Sequence, residues 1–66
     1  MDITSWIRGR RAEKREKQAE TAELLGVSPS LLSEWERGLT KPVKVAQIRA
    51  LAQWAGVEAD EVFRLL

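Results

Sequence analysis

The stretch "LLGVSPSLLSEWERG" (Leu24 to Gly38) decides the fold prediction, because it combines the end of one helix, a tight turn and the start of another. Gly26 readily takes the positive φ that a short turn after a helix requires. Ser28 is a strong N-cap, and Pro29 suits the first helical position because the N–H that proline lacks would have no partner there. Gly38 ends the second helix. We therefore expect two helices that meet at a corner.

The spacing of small and large residues favours a steep crossing of these two helices. Ala22 and Gly26 follow Gln18 at four and eight residues, and Leu32 and Trp35 follow it at fourteen and seventeen. A small residue at Ala22 lets the helices approach closely, while Leu32 and Trp35 fill the angle between them. These residue types at this spacing are typical of a helix-turn-helix corner. The alternative is an unrelated helical hairpin.

The rest of the chain also reads as helix, with no strand, repeat or linker. Helices are expected at about 3–14, 18–25, 29–37, 44–55 and 59–65. The residues expected to face inward include Ile3, Ile7, Ala19, Ala22, Leu25, Leu32, Trp35, Val45, Ile48, Ala52, Ala55 and Val62. The sequence therefore predicts an all-α fold with one domain over residues 1–66.

Composition limits the classes of function. The chain has no His, Cys or Tyr, which removes most general bases and nucleophiles and any disulfide or thiolate metal site. We therefore expect no enzyme, metal or cofactor. Apolar runs are too short to cross a membrane, and the first residues lack the pattern of a secretory signal. We expect a soluble cytoplasmic protein.

The net charge of +1 conceals an uneven distribution along the chain. Residues 1–17 sum to +3, residues 18–36 to −4 and residues 37–66 to +2. Because local clusters matter more for phosphate binding than the total, the basic segments are candidate contacts with nucleic acid. The alternative for "RGRRAEKREK" is a solvated helix face.

The segment "QAETAELLGVSPSLLSEWERGLTKP" resembles the Cro/phage-repressor helix-turn-helix family (XRE type), whose members read Q-x-x-x-A-x-x-x-G-V-S and then W-E-R-G-x-x-x-P. Looser agreement includes "IRGRR" and "ALAQWAGVEADEVF". The resemblance implies a five-helix, lambda-repressor-like domain that binds a palindromic operator in double-stranded DNA as a homodimer. Arg10, Glu16 and Thr21 depart from the pattern, because the family usually places apolar residues there. A thinner or shifted core between the first two helices is therefore expected.

The resemblance also implies roles for individual residues. Glu36 would form an internal ion pair with Arg11, and Gln18 would bind a phosphate at the start of the second helix. The expected DNA-binding residues are Lys17, Gln18, Ser28, Pro29, Ser30, Leu31, Ser33, Glu34, Arg37 and Lys41.

The expected reading surface has no Arg, Lys, Asn or Gln for bidentate base contacts, so phosphates should supply most of the affinity. Glu34 has three open interpretations. It accepts a hydrogen bond from a cytosine amino group, it is a bystander that tolerates DNA, or it pairs with a neighbouring basic side chain of the protein. Pro29 can offer only apolar contact, for instance to a thymine methyl, and otherwise starts the helix.

The last helix predicts a dimer surface, because "VFRLL" ends the chain with few residues left to cover it. We expect Trp6, Phe63, Leu65 and Leu66 at this surface; the alternative is that they close the core of a monomer. Trp54 fits either place.

A second function remains open, because residues 18–36 are acidic and the expected reading surface has few side chains that can specify a DNA base. The corner could serve as a protein-interaction module without DNA binding, or as an activator that contacts RNA polymerase. The family resemblance favours a transcriptional regulator, and specifically a repressor encoded by a prokaryote, plasmid or phage.

Overall fold

The computed structural model describes all residues, 1–66, as five α-helices without a strand. The helices are α1 (Ile3–Lys14), α2 (Gln18–Leu25), α3 (Pro29–Arg37), α4 (Val45–Ala55) and α5 (Ala59–Phe63). The predicted all-α class with five helices is confirmed, and the bounds of α1, α2 and α3 match those expected. Helix α5 ends two residues early, because the N–H groups of Leu65 and Leu66 bond to carbonyls only three residues back.

The turn between α2 and α3 is held by the residues that the sequence singles out. Gly26 has φ 73°, and the N–H of Val27 donates to the carbonyl of Ala22 at 3.0 Å, which closes the end of α2. Ser28 Oγ accepts from the backbone N–H of Leu31 at 3.0 Å and so caps α3. Both ends of the turn are therefore fixed by local hydrogen bonds.

One apolar cluster joins all five helices. Its members are Ile3, Trp6, Ile7, Ala22, Leu25, Leu32, Trp35, Ile48, Leu51, Ala52 and Val62. Ala22 is completely buried at the crossing of α2 with α3, as its small size predicts. The inward placement expected of Ala19 and Val45 is wrong. Ala19 is exposed, and Val45 is 54% exposed at the first position of α4, where its neighbours on both sides are also exposed.

Two of the departures from the family pattern compensate each other at the junction of α1 and α2. Thr21 is fully buried, and its hydroxyl donates to Glu16 Oε1 at 2.6 Å. The indole N–H of Trp54 donates to the same oxygen at 2.9 Å. A hydrogen-bonded cluster therefore stands where the family usually places apolar side chains, and no buried side-chain polar atom lacks a partner.

Trp6 and Trp54 pack edge to face near this junction, with ring centroids 6.4 Å apart. Trp6 was expected at the dimer surface, but only 6% of it is exposed because its ring packs inside the subunit. The Arg10 guanidinium lies 5.6 Å from the Trp6 ring centroid, and it also lies 4.0 Å from Glu61 Oε2. The Arg10 guanidinium therefore covers Trp6 from the solvent side, close to Glu61.

Candidate nucleic-acid interface

The amino-terminal end of α3 is open to solvent. Ser28, Pro29 and Ser30 are all exposed, and no other part of the subunit covers them. Pro29 has no N–H and the N–H of Leu31 is capped by Ser28, so this end presents the backbone N–H of Ser30 together with the partial positive charge of the helix. The end of α3 can therefore approach a polyanion.

The start of α2 offers a second group of donors. Lys17 is exposed, and Gln18 is half-buried at the first helical position. The backbone N–H of Lys17 is occupied, since it donates to Glu20 Oε1 at 2.8 Å. The following N–H groups of the first turn have no helical partner, so they are suited to an anion together with the Gln18 amide.

A bidentate ion pair joins the last turn of α1 to the last turn of α3. Arg11 Nε donates to Glu36 Oε2 at 2.7 Å, and Arg11 Nη2 donates to Glu36 Oε1 at 2.8 Å. Glu36 is 5% exposed, and the Arg11 side chain is 25% exposed. The structure thus brings together the two residues expected to pair, and the carboxylate of Glu36 faces inward rather than toward a DNA ligand.

The protonation state of the pair follows from its contacts. Burial acts to raise the pKa of Glu36, but hydrogen bonds from Arg11 and Gln18 outweigh it, so the pKa lies below its ordinary value. The hydrogen bond to Glu36 raises the pKa of Arg11. The positive charge of Arg8 also favours the Glu36 anion. Both partners are therefore charged near neutral pH.

Glu34 is the second carboxylate of α3, and it is half-buried near the turn that follows. Its Oε1 accepts from the Thr40 hydroxyl at 3.3 Å, and it forms no ion pair. Arg37, the nearest cation in sequence, instead donates to the carbonyl of Ser33 at 3.4 Å. Of the three interpretations of Glu34, an ion pair with a neighbouring basic side chain is not observed in this structure.

The remaining candidate residues differ in accessibility. Arg37 and Lys41 are exposed and surround the loop after α3, where a phosphate could reach them. Ser33 is half-buried, and Leu31 is partly packed against the core, so Leu31 offers less surface than the sequence suggested. The exposed part of the surface is therefore Ser28, Pro29, Ser30, Lys17, Arg37 and Lys41.

Two contacts at this surface were missed from the sequence. Gln18 Nε2 donates to Glu36 Oε1 at 3.2 Å across eighteen residues, and Thr40 contacts Glu34 from outside the helix. The corner geometry itself is the signal that could have revealed the first contact, since it sets α2 against α3. No local pattern marks the second.

The end of α5 remains partly uncovered. Phe63 is 46% exposed and Leu66 42% exposed, while Leu65 is half-buried. An exposed Phe beside an exposed Leu is apolar area that an association could bury.

The corner that α3 makes with α2, together with the open amino-terminal end of α3, defines a helix-turn-helix protein. A family model described as a helix-turn-helix domain matches residues 6–65, so the chain belongs to this family. A search of curated proteins gave no match to this chain.

Solved structures specify the type of helix-turn-helix. The chain is similar to the P22 c2 repressor protein in a crystal structure with synthetic operator 9T, with 29% identity, a TM-score of 0.83, and coverage of 94% of this chain and 92% of that one. It is similar also to the DNA-binding domain of the P22 c2 repressor in solution, with 28% identity, a TM-score of 0.83, and coverage of 96% and 82%. The resemblance to the Cro/phage-repressor type is confirmed. The family and fold are those of DNA-binding regulators rather than of enzymes.

Proposed function

We propose that this protein is a transcriptional repressor that binds a palindromic DNA operator as a homodimer, with α3 in the major groove. The observation that carries the proposal is the exposed amino-terminal end of α3, with exposed cations at Lys17, Arg37 and Lys41. The similarity to a repressor solved in complex with a synthetic operator supports the same use of the surface.

Phosphate contacts supply most of the affinity in this proposal. Gln18 and the first N–H groups of α2 bind one phosphate, and the exposed cations bind others. Ser30 and Ser33 offer short donors to base edges, and Pro29 offers apolar contact to a thymine methyl. Glu34 accepts from a cytosine amino group after releasing Thr40, a weak partner at 3.3 Å. Leu31 and Ser28 complete the surface.

The homodimer forms through the end of α5, where Phe63, Leu65 and Leu66 present apolar area. Two copies related by a two-fold axis place their α3 helices in successive major grooves, which a palindromic operator matches. Occupation of that operator blocks transcription. The protein acts in the cytoplasm of a prokaryotic cell, at its nucleoid.

The test is selection of bound duplexes from random DNA, followed by a salt titration of the selected duplex. We expect a palindromic consensus and a linear fall of log affinity with log salt concentration. Lys17→Ala and Lys41→Ala should each reduce the steepness of that line by about one unit, because each removes one phosphate contact. Arg49→Ala is the matched control, since Arg49 is an exposed cation on α4, outside the proposed surface.

Absence of binding to any duplex at low salt would overturn the proposal. That result would favour the protein-interaction module, including contact with RNA polymerase. A selected consensus without two-fold symmetry would overturn the dimeric arrangement alone.

A further inference from the structure

The amide of Gln18 is held from inside the molecule. Its Nε2 donates to Glu36 Oε1 at 3.2 Å, and Arg11 grips the same carboxylate through two hydrogen bonds of 2.7 and 2.8 Å. Glu36 is only 5% exposed, so its carboxylate is held in one position by these hydrogen bonds. A partly buried ion pair therefore contacts, through Glu36, a side chain that is half-exposed at the surface.

The identity of the groups fixes the orientation of the amide. An ionised carboxylate can only accept hydrogen bonds, so the NH₂ group of Gln18 must face Glu36 and its carbonyl oxygen must face away. One N–H of that nitrogen is used by Glu36, and the other remains available. A phosphate also accepts only, so the N–H is the part of Gln18 that it can use.

Arg11 also fixes the backbone that carries Gln18. Its Nη1 donates to the carbonyl oxygen of Glu16 at 2.9 Å, two residues before Gln18. The guanidinium therefore joins α1, the segment that leads into α2, and the end of α3. Because three donors of one rigid plane serve these partners, motion at the start of α2 is coupled to Glu36.

We propose that Glu36 is a positioning residue for DNA binding, which fixes the Gln18 amide so that an N–H is available to a backbone phosphate. This inference rests on the proposed function and adds a second role to a pair otherwise regarded as structural. The interaction is charge-assisted, so its loss affects binding measurably even though Glu36 never contacts the duplex.

The test is a double-mutant cycle on binding of the selected duplex, with Glu36→Gln, Gln18→Ala and the combined variant. Glu36→Gln should weaken binding about tenfold when Gln18 is present, in keeping with one charge-assisted hydrogen bond. In the Gln18→Ala background, Glu36→Gln should have almost no further effect. Binding is measured at a temperature at which thermal melts show every variant to be folded.

Glu23→Gln is the matched control. It removes the same charge from an exposed position on α2 that makes no side-chain hydrogen bond or ion pair, so it corrects for the general gain in attraction to DNA. An amide nuclear magnetic resonance spectrum of the DNA-free protein adds a direct measurement. Of the two Gln18 side-chain N–H protons, the one donated to Glu36 should be slowed in exchange with water in the wild type and should lose this protection in Glu36→Gln.

The outcomes separate the two proposals. If the wild type binds duplex DNA and Glu36→Gln weakens binding equally with and without Gln18, the positioning role is overturned while the proposed function stands. Lack of protection at both Gln18 side-chain N–H protons in the wild type would also overturn it. If the wild type binds no duplex at low salt, the proposed function fails, and the positioning role for a phosphate fails with it.

Discussion

Glu36 and Glu34 lie two residues apart on α3, yet their carboxylates differ in burial and in hydrogen-bonding partners. Glu36 is buried and neutralised by Arg11, so it adds no free negative charge to the surface. Glu34 is half-buried and has only the Thr40 hydroxyl as a partner. A helix with two carboxylates can therefore face DNA with only one of them uncompensated. The exposed acids of α2 carry the rest of the −4 charge of residues 18–36.

Stability should depend on pH through Glu36 and Glu16. Burial raises the pKa of Glu36 but is outweighed by Arg11 and Gln18, and hydrogen bonds from Thr21 and Trp54 lower the pKa of Glu16. Both folded-state pKa values thus lie below the ordinary 4.5 of the unfolded chain. The contribution is therefore present above about pH 4.5 and is lost as the pH falls through the folded-state values.

The measurement is the free energy of unfolding in urea between pH 7 and pH 3. Glu36→Gln should flatten the acid side of the curve, because the variant cannot titrate at this position. An acid loss of stability in Glu36→Gln as steep as in the wild type would contradict the assignment.

At the scale of the elements, the helix ends are set by local chemistry. Asp2 accepts from the N–H of Ser5 at 2.8 Å and caps α1, as Ser28 caps α3. At the other end of α1, Arg15 takes φ 57° and is the one residue other than glycine with positive φ. Such local hydrogen bonds and backbone preferences act over a few residues, and for that reason the helix bounds follow closely from the sequence.

Gly9 makes α1 less stable than an alanine at the same position would. Its backbone is helical without positive φ, and a Cβ built there would meet no atom within 4 Å. Gly9→Ala should therefore raise the free energy of unfolding by about 0.5–1 kcal/mol. For a domain of this size, that corresponds to an increase in Tm of a few degrees, about 4–8 °C per kcal/mol, as measured by circular dichroism.

Gly38→Ala is the contrasting control for Gly9→Ala. Gly38 has φ 74°, and a Cβ there would meet Thr4 Oγ1 at an ordinary 3.6 Å, so strain of the backbone should decide the result. We expect destabilisation at Gly38. Changes of the same sign at both glycines would contradict this account.

At the scale of the whole molecule, the proposed operator complex needs two copies of the chain. Phe63 at the end of α5 and Leu66 just after it are partly exposed, and the acidic α2 carries Leu24, which is 65% exposed. Phe63 and Leu24 are exposed apolar residues on different elements of the fold, α5 and α2. Replacing each by lysine adds the same positive charge at a different place on the molecule.

Phe63→Lys should abolish the homodimer and reduce affinity for the full palindrome about 10²-fold, because a linked second half-site no longer contributes. Affinity for a half-site should be nearly unchanged. Sedimentation velocity measures the association, and fluorescence anisotropy measures the binding.

Leu24→Lys is the matched variant and should leave both measurements close to those of the wild type. Loss of dimer in Leu24→Lys with retention in Phe63→Lys would place the interface on α2 instead of α5.

The departures at Glu16 and Thr21 show what a linear pattern leaves undecided. As departures from the family pattern, these residues predict a thinner or shifted core between the first two helices. In the fold they contact each other and Trp54, so the polar groups satisfy one another. The same limit applies to Trp6, which lies one residue off the Ile3 and Ile7 stripe in the sequence but is buried in the structure by contact with Trp54.

By itself the sequence determined the five helices, the corner between α2 and α3, and most of the core, because capping, turn and periodic apolar residues act over short distances. Only the tertiary structure decided where Trp54 lies, which side of α1 is covered, and that Gln18 is tied to Glu36. Those contacts join residues 18 to 38 positions apart, so they depend on how the helices pack and not on any local preference.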